Sequence, residues 1–184
     1  MRSTVAAGVL FDMEALTPRE LRALSRLNDS KQHSHEVREV LFPIVMRTAV
    51  KVCVVSRCAR TIDVRGLHKT NLAALRDALL GVARPGCICL SDGFAVGKLP
   101  YEQRAIVEGD ATSAAIAAAS IVAKVIRDRL MTRCDASFSG YGLASHKGYS
   151  TKAHQTALAA LGPCRLHRRS FWRVAACYEA QGSG

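Results

Sequence analysis

Short runs of β-branched and apolar residues alternate along this chain with longer stretches whose apolar positions recur at helical spacing, and that alternation confines it to a mixed α/β architecture. Val5–Phe11 reads as a strand. Thr17 then caps a short helix, with Pro18 at its first position and Glu20 placed to close a capping box. Asn28-Asp29-Ser30-Lys31 is a polar turn, and a second helix begins near Ser34. Val37, Val40, Leu41, Ile44 and Val45 share one face of it, and Pro43 inside the pattern predicts a kink or an early stop. Val50–Val55 reads as a strand and Leu67–Val82 as an amphipathic helix, after which Arg84-Pro85-Gly86 breaks the chain. Cys87–Leu90 and Arg104–Val107 follow as short strands, then a long helix from Thr112 to about Arg133. Gly140, Gly142 and Gly148 mark a loop, Ser150 is the expected cap of a last helix, and Gly162-Pro163 stops it. Without repeats or linkers, residues 1–184 read as a single α/β domain.

Composition narrows the function classes. At 184 residues with 49% apolar content, the chain is long enough for a real core and too apolar for disorder. The longest apolar stretch, Ala114–Val125, is Ala-rich and interrupted by Ser120 and Lys124, so it is too short and too polar for a membrane span. The N-terminus carries no signal-peptide pattern. Lysine and arginine exceed aspartate and glutamate by 26 − 15 = 11, which favours a polyanionic partner through counterion release. Seven cysteines without a Cys-x-x-Cys pair argue against a zinc knuckle and for reduced thiols in a cytoplasmic protein. Cys87 and Cys89 alternate with Ile88 and Leu90 as small apolar fillers of a buried strand.

Taken singly, the acidic residues are ambiguous. Asp92 follows a buried strand and precedes Gly93, a placement shared by metal ligands and ordinary turns. Asp128 sits between Arg127 and Arg129 where a smooth apolar helix turns charged, which by itself is a solvated helix end. The order of motifs changes that reading. Leu27-Asn28-Asp29-Ser30-Lys31 and Leu90-Ser91-Asp92-Gly93 come first, then Gly109-Asp110 with Ser113. The run Ala117–Lys124 leads into Arg127-Asp128. His146-Lys147-Gly148-Tyr149-Ser150-Thr151, Gly162-Pro163 and His167-Arg168 with Ser170-Phe171 close the series. From about Val5 to Phe171 this series resembles type II ribonuclease H, leaving 172–184 as a C-terminal tail.

The resemblance implies a ribonuclease H-like fold with a mixed central sheet flanked by helices. It implies an endonuclease that hydrolyses the RNA strand of RNA–DNA hybrids, and single ribonucleotides embedded in duplex DNA, at a four-carboxylate site holding two divalent cations, Mg2+ or Mn2+. Paired cations suit phosphodiester cleavage because one activates water while the other stabilises the leaving oxygen. By motif, Asp92 and Asp128 are the catalytic and metal-binding carboxylates, and they are expected to meet in the folded chain. Tyr149 is expected to stack on the sugar beside the ribonucleotide, and Lys31 to contact phosphate next to Asn28 and Ser30.

The family opens with a strand bearing Asp-Glu and then Gly-Arg-Gly, whereas this chain runs from Met1 directly into what resembles the second strand. Asp12 and Glu14 follow that strand at the wrong end and read as surface acids. The expectation is therefore a shortened, monomeric member of the family, lacking the first strand, with flanking strands left unpaired or forced to re-pair. As it stands its metal affinity and catalysis should be weakened. The alternative is a non-catalytic nucleic-acid-binding remnant that uses Lys31, Tyr149 and the basic segment Arg165, Arg168, Arg169 and Arg173. Glu108 stands where the family often has lysine; His33 and His35, two apart, would not share a helical face and are poor metal ligands, and His68 and His154 read as ordinary surface histidines.

Overall fold

A computed structural model describes residues 4–27, 34–172 and 174–177. The chain forms β1 (Thr4–Leu10), α1 (Pro18–Ser25), α2 (His35–Thr48), β2 (Lys51–Arg57), α3 (Ala59–Arg65) and α4 (Leu67–Val82). It continues with β3 (Ile88–Asp92), β4 (Glu102–Ile106), α5 (Gly109–Thr112), α6 (Ala114–Ser137), α7 (Leu143–His146) and α8 (Lys152–Leu161). Two compact units interleave along the sequence. The first comprises Val5–Val55 and Asn71–Val125, and the second Ser56–Thr70 with the described residues from Ile126 onward and Thr4.

The first unit holds the strands. β1 pairs with β2, and β3 pairs with β4, in two two-stranded sheets among the described residues. The β3–β4 ladder is parallel, running in register from Ile88 opposite Glu102 to Asp92 opposite Ile106. Ala6, Ala74 and Ala78 form a core cluster where β1 meets α4, with Val55 and Leu75 packed against it. Gly8 is required at this crossing, because a Cβ there would collide with the Ala78 carbonyl. Ala117, Ala118, Ile121, Val122 and Val125 on α6 are fully buried. Cys89 is buried in β3 as expected, and burial pushes its thiol up to about 11. Asp12 meets Arg84 at 3.0 Å across an exposed pair, in keeping with a surface acid.

Local signals account for most element boundaries. Thr17 closes the capping box with Glu20, each accepting from the other's backbone N–H, and Pro18 opens α1. Ser34 caps α2 by accepting from Val37 N–H. That helix continues through Pro43 to Thr48 instead of stopping there. Thr151, not Ser150, caps α8: its hydroxyl accepts from His154 N–H at 3.2 Å, while the Ser150 hydroxyl is engaged by Gln155. Gly162, at φ +72°, ends α8 as expected.

Candidate functional site

In the first unit, Asp92 is the last residue of β3 rather than the first beyond it, so the ladder to Ile106 fixes its backbone. One carboxylate oxygen accepts from Gly109 N–H at 3.0 Å. Gly93 at φ +72° turns the chain away from the strand, and its N–H donates to Ile106 O. Gly109 is tightly enclosed, since a Cβ there would lie 2.5 Å from Ile116 Cδ1. Glu108 just before it takes left-handed backbone, φ 52°, which is unfavourable for a residue with a side chain. The Gly109-Asp110 motif thus serves to bring a backbone donor to Asp92.

In the second unit, Asp128 is 8% exposed near the middle of α6. Arg127 is its ion-pair partner, Nη1 to Oδ1 at 3.4 Å. The same guanidinium donates through Nη2 to Lys147 O at 2.8 Å and lies 4.8 Å above the Tyr149 ring. One cation therefore ties the aspartate to the His-Lys-Gly-Tyr loop and covers a face of its tyrosine. Tyr149 is 48% exposed, which rules out a core-plugging role. The charge of Arg127 and its place beside Asp128 are legible in the sequence; its reach to the loop is not.

Buried histidines hold that loop. His154 and His167 are 4% and 3% exposed, correcting the expectation of a surface His154. Cys164 N–H donates to His167 Nδ1 at 3.0 Å, His167 Nε2 lies 3.3 Å from His154 Nε2, and His154 Nδ1 lies 2.9 Å from Tyr149 O. One proton assignment satisfies the whole chain: both rings neutral, His167 donating to His154 and His154 donating to the Tyr149 carbonyl. Burial lowers both histidines, His167 to about 4. His146 stacks on His154 with centroids 4.5 Å apart and accepts from Gly148 N–H.

The basic segment divides. Arg168 is 3% exposed beside the Phe171 ring, so it is built into the fold instead of offered to phosphate. Arg165 lies over Phe138 at 5.2 Å. Asn28, Ser30, Lys31, His33 and Arg173 lie outside the described residues. His35 and His68 are exposed. Among the described residues no three His, Cys, Asp or Glu side chains converge as a metal-binding group. The implied two-cation site is therefore not complete among the described residues. No described helix is long and apolar enough to cross a membrane.

Residues 3–174 match the ribonuclease HII family. The chain belongs to it. A ribonuclease HII of Mycobacterium tuberculosis is 50% identical over 174 residues, covering 94% of this chain. The chain spans 66% of that relative's length. Ribonuclease H2 from Pyrococcus horikoshii shares the fold with a TM-score of 0.76, at 18% identity and full coverage of both chains. A Bst ribonuclease HIII in complex with Mn2+ superposes with a TM-score of 0.67 at 15% identity, covering 99% of this chain and 71% of that one. The ribonuclease H-like fold expected from the ordered motifs is therefore the fold observed.

Proposed function

We propose that this chain acts on RNA joined to DNA, as an endoribonuclease that hydrolyses hybrids and single ribonucleotides in duplex DNA. The observation that carries the reading is the Arg127 bridge. It puts a carboxylate, a cation and a half-exposed aromatic ring side by side, as a site for a sugar-phosphate backbone requires. Asp92 and Asp128 are proposed as carboxylate ligands for divalent cations, Mg2+ or Mn2+, with further ligands needed. The Mn2+ complex of the ribonuclease HIII neighbour supports divalent metal use. Tyr149 is the proposed stacking residue, with Lys31, Asn28 and Ser30 proposed as phosphate contacts. The excess of 11 positive charges supports a polyanionic duplex as partner, and the seven free thiols support a cytoplasmic setting for a protein proposed to act as a monomer.

The test is cleavage of a duplex containing one ribonucleotide, with Mg2+ or Mn2+ present. Asp92→Asn and Asp128→Asn should each lower turnover by at least about a hundredfold while leaving duplex affinity within a few-fold, since a misplaced or missing ligand acts on rate. An Asp128→Asn protein as active as the parent removes that residue from the site. Tight binding by the parent with no cleavage in either metal favours the binding-only alternative.

A further inference from the structure

We propose that Asp63, on α3 and outside every motif of the series, is a positioning residue for Tyr149, acting through a continuous run of hydrogen bonds inside the second unit. The Asp63 carboxylate reaches a turn 106 residues further along the chain. Oδ2 accepts from Arg169 N–H at 2.9 Å, and Oδ1 accepts from Ser170 N–H at 2.9 Å and from the Ser170 hydroxyl at 2.6 Å. Burial opposes its ionisation, yet the bonds from Ser170 and Arg169 prevail and hold the carboxyl below its ordinary value, so it grips as an anion. One half-buried side chain thereby ties α3 to residues 164–171.

That turn carries His167. Its own backbone bonds, His167 N–H to Cys164 O and Phe171 N–H to Arg168 O, set its local shape, whereas Asp63 ties it to another element. From His167 the run passes to His154 through facing Nε2 atoms 3.3 Å apart, and from His154 Nδ1 to Tyr149 O at 2.9 Å. His154 is itself fixed at the start of α8, where its N–H donates to Thr151 Oγ1. Each link is short and stiff: a carboxylate on one methylene, backbone amides and two buried planar rings. A displaced turn therefore pulls His167 off His154 instead of being absorbed by side-chain rotation. At the far end Tyr149 is 48% exposed, so its backbone and the Arg127 cation, not core packing, set where its ring stands. The inference rests on the proposed role of Tyr149 as the residue that stacks on substrate. A purely structural Asp63, holding the C-terminal segment down, would lower stability without any special link to Tyr149.

A double-mutant cycle on the full chain tests that link. Affinity for a duplex carrying one ribonucleotide is read by fluorescence anisotropy, without divalent cation, for the parent, Asp63→Ala, Tyr149→Ala and the double variant. Asp63→Ala should weaken binding about three- to thirtyfold in the parent. In the Tyr149→Ala background it should cost no more than about twofold, because the ring it positions is gone. Equal factors in both backgrounds would overturn the proposal. Asp63→Asn, which keeps an oxygen for Ser170 but turns a donor toward Arg169 N–H, takes its place if Asp63→Ala fails to fold. Amide hydrogen exchange on the free proteins separates this inference from the nuclease reading. Either Asp63 variant should speed exchange in residues 146–154 and 164–171 and leave Leu67–Val82 as in the parent. Unchanged exchange at 146–154 would overturn the link even if the parent cleaves well. A parent that binds no duplex sinks the proposed function, and the exchange pattern alone then decides whether Asp63 holds the Tyr149 loop.

Discussion

Acid should loosen the second unit through its two buried histidines. His167 is 3% exposed, and burial lowers it from 6.5 to about 4. Between those values the unfolded chain binds a proton that the native chain refuses, so stability falls as pH falls from about 6.5 towards 4. At pH 5, about 1.5 units below the unfolded value, the loss at about 1.4 kcal/mol per unit is about 2 kcal/mol. His154 is lowered for the same reason and adds to it. Structurally an added proton displaces an existing bond: His167 Nδ1 already accepts from Cys164 N–H, and the two Nε2 atoms share one hydrogen at 3.3 Å. Urea unfolding midpoints at pH 7 and pH 5 measure the effect. His167→Gln should be less stable than the parent at pH 7 and should lose about 2 kcal/mol less between the two pH values. Equal decrements in parent and variant would refute the neutral, mutually bonded pair.

Three further outcomes follow from the geometry. Tyr149→Ala should weaken hybrid binding by about 1–3 kcal/mol while Tyr149→Phe changes little, because the ring and not its hydroxyl does the stacking; fluorescence anisotropy with a labelled duplex reads both. Duplex affinity should fall linearly on a log–log plot against salt, with a slope of several units, and a flat line would disconnect the excess positive charge from binding. Gly8→Ala should destabilise near the upper end of the roughly 1–3 kcal/mol typical of overpacking, and Gly109→Ala near the lower end. The first meets the Ala78 backbone, which cannot yield, and the second the flexible end of Ile116, so chemical denaturation should rank them in that order.

The elements with strong local causes were legible. α4 spans Leu67–Val82 as its apolar periodicity indicates, and the Thr17–Glu20 box and Gly162 mark helix ends by their own chemistry. α3 escaped because seven residues give too little periodicity, and its cap position, Cys58, makes no side-chain capping bond. α7, with four residues, gives less still. Ser150 and Thr151 are both competent caps, and only the fold decides which hydroxyl reaches His154. The motif series located Asp92, Asp128 and Tyr149, but not what steadies them. His154 and His167 lie thirteen residues apart, and nothing local distinguishes a buried, mutually bonded pair from two surface rings. Arg168 shows the same limit in reverse, since a run of arginines suggests phosphate while one of them is folded against Phe171.

Holding a carboxylate is as much a part of such a site as supplying it, and the two aspartates are held by different means. Asp92 leans on a backbone N–H, which has no rotamers and cannot swing away, delivered by a glycine with no room for a side chain. Its own backbone is pinned by the ladder to β4. Asp128 instead relies on a guanidinium that is shared with the Lys147 carbonyl and the Tyr149 ring. That carbonyl belongs to a loop steadied by neutral histidines. Outer partners of this kind orient carboxylates toward a cation or phosphate, and losing one commonly lowers metal affinity or activity ten- to a hundredfold. The two halves should therefore fail differently. The contact that holds Asp92 involves no histidine, whereas the setting of Asp128 should soften as His154 and His167 take up protons.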